Sequence, residues 1–160
     1  MSNTKKIVAA GIIGALYAVF TIIQPYSSSP VQIRLAEAMC VLPFFYPFSA
    51  WGLFAGCVVA NLIAGAGPLD IVFGSLATLA AGLIASKIRV KWLAPLPAVL
   101  INALVVGAVL YVYFPEFSYP VQVAYVGAGQ LGACFVVGLP LLLVCERLIK
   151  KGALPPADKR

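Results

Sequence analysis

A short set of polar and charged side chains interrupts otherwise apolar stretches of this sequence: Gln32, Arg34, Glu37, Asn61, Asp70, Asn102, Glu116, Gln122 and Gln130. Left unpaired in hydrocarbon, such groups are costly, so each needs a partner in the protein or in a ligand. The chemistry they offer is recognition. A carboxylate such as Glu37 or Asp70 can accept two parallel N–H donors and so read a guanidine-like edge. Bond-making chemistry is poorly supplied: there is no histidine, the commonest general base, and Asp and Glu together number 5. Neither a Gly-x-Ser-x-Gly nucleophile turn nor a phosphate-cradling Walker A loop occurs. Cys40, Cys57, Cys134 and Cys145 stand singly in apolar runs, without a Cys-x-x-Cys pair, and read as packing thiols rather than zinc ligands. Neither an enzyme nor a metal site is expected.

Spacing places these groups. Arg34 and Glu37 lie three residues apart and can satisfy each other on one helical face. Asp70 follows Gly65-Ala66-Gly67-Pro68-Leu69 and falls in the first turn of a helix. A carboxylate there favours the helix dipole, and beside a glycine-rich turn it also suits ligand capture. Asn61 and Asn102 fit interhelical bonds or ligand contacts. Glu116 and Gln122 bracket a loop, with Tyr125 a turn further on. Tyr111, Tyr113, Phe114, Phe117, Tyr119 and Tyr125 form an aromatic cluster able to stack on a flat heterocycle or to anchor in the interface. Phe44, Phe45, Tyr46, Phe48 and Trp51 read as interfacial anchors.

The elements that carry them are membrane helices. Of 160 residues, 62% are hydrophobic and 10% charged, against about half and about a quarter in soluble domains. The uncharged runs are 7–33, 38–69, 71–86, 92–115 and 117–145. The run 38–69 is either one span or two short ones broken around Pro43 and Pro47. Charge decides: Lys5 and Lys6 precede the first helix, and Lys87, Arg89 and Lys91 follow the fourth candidate. The positive-inside rule puts both clusters in the cytoplasm, which requires an even number of crossings between them. The expected fold is therefore an all-α integral membrane protein, a compact bundle of six transmembrane helices with both termini cytoplasmic. Its short second helix covers about 33–45. Residues 1–160 make one membrane-embedded binding domain, with 1–6 and 150–160 as short basic tails. Six spans of about 20 residues leave no room for a soluble ATP-binding domain. The net charge of +6 flanks the apolar runs and does not suggest nucleic acid. On helix 1, Ala10, Gly14 and Ala18 form a stripe of small side chains that permits close helix approach, and Gly11 and Ala15 widen it.

These residues resemble the queuosine-precursor transporter family, QueT, the substrate-binding S components of bacterial energy-coupling-factor transporters. The resemblance is carried by Gly14-Ala15-Leu16-Tyr17-Ala18, Gln32-Ile33-Arg34-Leu35-Ala36-Glu37-Ala38, Leu42-Pro43-Phe44-Phe45, Gly52 to Cys57, Ala60-Asn61-Leu62 and, most distinctively, Leu69 to Leu79. The later helices match mainly in size and polarity. The resemblance implies a multi-pass protein of the bacterial cell membrane without an ATPase or cofactor of its own. It would work with a transmembrane coupling subunit and two cytoplasmic ATP-binding subunits, and its cargo would be a 7-deazaguanine precursor of queuosine. In the wider class an Ala-x-x-x-Ala face on helix 1 docks the coupling subunit. The matching stripe here is Ala10, Gly14 and Ala18, with Gly14 departing from alanine. Gln32, Arg34, Glu37, Asn61, Asp70, Gln122 and Tyr125 are the expected cargo contacts. Glu37 is taken for the guanine-like edge and Asp70 for an auxiliary contact, with exchangeable roles. An S component for another vitamin-like cargo and a stand-alone secondary transporter are the alternatives.

Overall fold

The computed structural model describes residues 1–24 and 34–158. Among them the regular structure is helical, in six rods: α1 (Asn3–Ile23), α2 (Leu35–Phe44), α3 (Ser49–Ile63), α4 (Asp70–Ala85), α5 (Leu96–Tyr113) and α6 (Tyr119–Lys150). Three helical stretches are long and apolar enough to cross a membrane: Asn3–Ile23, Lys91–Tyr113 and Tyr119–Lys150. The run 38–69 divides as its prolines and the charge argument require, with the break at Phe45 to Phe48.

The rods alternate between two ends. At one end Lys6 of α1 pairs with Asp158 at 2.6 Å, Lys91 pairs with Glu146 at 3.2 Å, and the Tyr46 hydroxyl donates to the Pro155 carbonyl at 2.7 Å. The early lysines, the 86–95 connection and the end of α6 thus meet at one basic end, which is the grouping the charge pattern demanded. At the opposite end the backbone N–H of Leu69 meets Tyr113, and Arg34 meets Asn61. The chain beyond α6 is no loose tail. Leu154 and Ala157 pack on the cluster of Val41, Phe44, Phe45, Tyr46 and Leu142, and the Asp158 N–H donates to the Phe45 carbonyl at 3.1 Å. This corrects the reading of Phe44, Phe45 and Tyr46 as interfacial anchors: they are buried in that cluster, while Trp51 remains exposed.

α2 differs most from a simple span. It is a 3-10 helix of 10 residues containing Pro43, at about 2 Å rise per residue longer than an α-helix of the same count. Its residues from Ala36 to Val41 are all buried, so it is a central strut wrapped by other helices rather than a lipid-facing one. The close wrapping is visible at Gly138 of α6, where a Cβ would stand 3.1 Å from the Ala38 carbonyl oxygen. α6 widens to a π-helical stretch over Gly132–Gly138, just before Pro140. A proline lacks the N–H for the preceding turn and crowds its carbonyl, and the wider turn accommodates this.

Candidate functional site

At the end opposite the basic cluster, the α3–α4 turn and the C-terminal part of α5 enclose a cavity of about 340 Å³, bordered by Arg34, Gly65, Gly67, Asp70, Leu110, Tyr113 and Phe114. Its size is at the lower end of small-molecule sites. The turn is built locally. Gly65 takes φ +66°, and Ala66 N–H reaches back to the Asn61 carbonyl at 2.9 Å, closing α3 with a left-handed glycine as helix ends commonly do. Tyr113 then pins the turn: its hydroxyl accepts from the Leu69 N–H at 3.0 Å, and a side chain at Gly67 would collide with its ring. Substituting Tyr113→Phe should cost about 1 kcal/mol, the usual worth of one neutral hydrogen bond. Amide exchange at Leu69 should quicken in that variant; unchanged exchange would show that the turn holds without the hydroxyl.

Asp70 enters the cavity from the first turn of α4. It is 7% exposed, its backbone carbonyl accepts from Asn61 Nδ2 at 3.1 Å, and its Oδ1 has no hydrogen-bond partner among the described residues. Asn61 bridges the two charged walls, since its Oδ1 also accepts from Arg34 Nη1 at 3.4 Å. Arg34 and Glu37 do not pair as their spacing suggested. The ion pairs of the described residues are Lys6–Asp158, Lys91–Glu146 and Lys150–Glu146, all at the basic end.

Glu37 is held elsewhere. It is 2% exposed, and its carboxylate accepts from the Tyr17 hydroxyl, from Asn102 Nδ2 at 3.0 Å and from Cys40 Sγ at 3.2 Å. These donors come from α1, α5 and α2 itself, so the carboxylate knits three helices together and lies outside the residues bordering the cavity. Asn102 is thereby an interhelical bond, one of the two readings its position allowed. Tyr17 and Cys40 carry this network without having stood out in the sequence, because each sits in an apolar run.

The remaining expected contacts divide. Gln32 lies outside the described residues. Gln122 is fully buried, with Nε2 3.5 Å from the Phe114 carbonyl and Oε1 unpartnered among the described residues. Tyr125 stays 40% exposed and stacks edge-on against Phe117, away from the cavity. Tyr113 and Phe114 are the members of the aromatic cluster that border it. All four cysteines are free and buried.

The small-residue stripe of α1 has two sides. Gly14 and Ala18 are buried, and a Cβ on Gly14 would stand 2.6 Å from the Gly52 carbonyl oxygen of α3. Side chains at Gly52 and Gly56 would collide in turn with the carbonyls of Ala10 and Gly14. The stripe is thus an internal contact in which two helix backbones touch. Ala10, Gly14 and Ala18 also line an open apolar groove of about 500 Å³, in which Gly11, Ala15, Trp51, Ala55 and Val59 remain exposed.

No curated protein and no solved structure matches the chain. The family model described as QueT transporter matches residues 7–147, which takes in α2 to α5 whole, most of α1 and α6, the cavity and the α1–α3 contact. A six-rod helical chain, rich in apolar surface and matched over nearly its whole length, belongs to the QueT transporter family.

Proposed function

We propose that the chain is the substrate-binding S component of an ATP-dependent energy-coupling-factor importer of the bacterial membrane, with a 7-deazaguanine precursor of queuosine as cargo. The observation that carries this reading is the cavity at the end away from the basic cluster, walled by Arg34, Asp70, Tyr113 and Phe114. By the positive-inside rule the basic end is cytoplasmic, so the cavity opens outward in this state. Its groups suit a flat polar heterocycle: a carboxylate oxygen accepts N–H donors, a guanidinium donates to a ring carbonyl, and two aromatic rings offer faces. Asp70 takes the reading role and Glu37 the framing role, which exchanges the two roles as the sequence analysis first set them. The chain's short loops leave ATP to partner subunits.

Purifying the chain in detergent and identifying co-purified small molecules by mass spectrometry tests the cargo. A deazapurine is expected, and a chemically unrelated vitamin would replace this reading with the other S-component one. Docking of the coupling subunit is assigned to the open side of the α1–α3 groove. Replacing Gly11 with Leu adds bulk where, among the described residues, no neighbouring group lies within 4 Å of the new Cβ, so folding and ligand binding should survive while coupling-subunit co-purification falls about tenfold or more. Full recovery of the partner with Gly11→Leu would move docking to another face.

A further inference from the structure

The basic end holds a second cavity, of about 410 Å³, bordered by Arg89, Lys91, Trp92, Glu146, Phe44 and Phe45. It lies where the 86–95 connection meets the end of α6. Its charges are lopsided. The stretches 86–95 and 145–151 contain Lys87, Arg89, Lys91, Arg147, Lys150 and Lys151, with Glu146 as their one acid. That carboxylate is already divided: Oε2 pairs with Lys91 at 3.2 Å and Oε1 with Lys150 at 3.0 Å. Two ammonium groups and a guanidinium set against one carboxylate leave the mouth of the cavity net positive.

A second observation concerns its apolar wall. Val90, Trp92 and Leu93 are exposed on the short turn Lys91–Leu93 and the residue before it, while Phe44 and Phe45 supply buried apolar surface. Tryptophan favours the boundary between membrane and water, and here its ring centre lies 5.6 Å from Lys91 Nζ. The positive-inside rule makes this end cytoplasmic. Cations beside an exposed apolar rim at that level match a molecule with an anionic head and a hydrocarbon tail. A free anion would use the cations and leave Val90, Trp92 and Leu93 uncovered.

We infer that this cavity binds an anionic phospholipid of the inner leaflet, with Arg89 and Lys91 on the phosphate and Trp92 beside the start of the acyl chains. Glu146 opposes the lipid, because it competes with phosphate for Lys91. The site stands apart from the cavity at the opposite end and does not depend on what that one carries.

The test uses the full-length chain in detergent, with native mass spectrometry following bound phosphatidylglycerol or phosphatidylcholine of identical acyl chains. Wild type should hold phosphatidylglycerol about tenfold more tightly than phosphatidylcholine. Lys91→Gln should weaken that binding about fivefold, as loss of one basic residue at an anionic surface does. Glu146→Gln should strengthen it, since both lysines lose their competing partner. Lys5→Gln removes a charge from the same end but outside the cavity lining and should change little. Melting without lipid shows that each variant is folded. Equal retention of the two lipids overturns the inference, as do unchanged binding in Lys91→Gln and weaker binding in Glu146→Gln. An equal loss in Lys5→Gln overturns it too, because attraction would then belong to the whole basic end. Inorganic phosphate that displaces phosphatidylglycerol at equal concentration would assign the cavity to a soluble anion and overturn the lipid.

Discussion

Replacing Gly56 with Leu should abolish recovery of a monodisperse protein in detergent, while Gly11→Leu on the neighbouring face of the same helix pair should leave recovery and melting temperature close to wild type. The difference follows from what each Cβ meets. At Gly56 it would run into the Gly14 carbonyl, and the reciprocal positions Gly14 and Gly52 are equally closed by backbone. A flexible side chain can swing aside; a carbonyl in a helix cannot. Overpacking a core commonly costs about 1–3 kcal/mol even where side chains can adjust, and forcing two backbones apart strips contacts along the whole crossing. Membrane helices have no hydrophobic drive toward each other and depend on such close packing. Size-exclusion chromatography of fluorescent fusions measures this directly. A Gly56→Leu protein that elutes and melts like wild type would show that α1 and α3 do not need the contact.

That result bears on how the stripe of α1 should be read. Four-residue spacing of Ala10, Gly14 and Ala18 announces close approach, but spacing does not name the approaching helix. Here Gly52 and Gly56 of α3 supply the complementary small residues, and the periodicity of one helix is resolved only by its counterpart on another. The open side, at Gly11 and Ala15, carries no distinguishing pattern. It becomes visible as a surface only once α3 is in place.

Other features were legible to different depths. Charge placement was enough to divide 38–69 into two helices and to group the early lysines with the 86–95 connection, because each rule acts on whole segments. It could not tell that α2 is a 3-10 helix buried from Ala36 to Val41, since apolar composition is shared by lipid-facing and protein-covered helices. Polar residues in apolar runs correctly marked Asn61, Asp70 and Glu37 as structurally consequential. They did not sort framing from cavity, because that depends on donors such as Tyr17 and Cys40 that composition counts as apolar. Tyr125 stands away from the cavity for a geometric reason: the buried stripe of α6 passes through Gln122, Val126 and Gly129, and Tyr125 lies to one side of it.

The framing role of Glu37 predicts an order of losses. Glu37→Leu should be the most damaging single change in this region, Glu37→Gln intermediate, and Tyr17→Phe mildest. Leucine leaves the Tyr17 hydroxyl and Asn102 Nδ2 without their acceptor, in residues 0% and 2% exposed respectively. Stranding a buried neutral donor costs about 1–3 kcal/mol, so losing the acceptor of two costs about 2–6 kcal/mol. Glutamine keeps the volume and one acceptor oxygen. Its amide can donate to the Tyr17 hydroxyl, which rotates to accept, while its oxygen takes Asn102. The network then survives without charge assistance, at a cost of about 1–2 kcal/mol. Tyr17→Phe removes one donor but leaves the carboxylate with Asn102 and Cys40, so about 1–2 kcal/mol is again the ceiling. Because Tyr17 and Asn102 address the same carboxylate, Tyr17→Phe combined with Asn102→Ala should depart from additivity, as groups sharing a partner do. Thermal melts in one detergent, with Asn102→Ala alone completing the cycle, measure all five variants on one scale. A Glu37→Leu variant that melts as high as wild type would mean that the carboxylate is not framing at all and is held in reserve for the ligand.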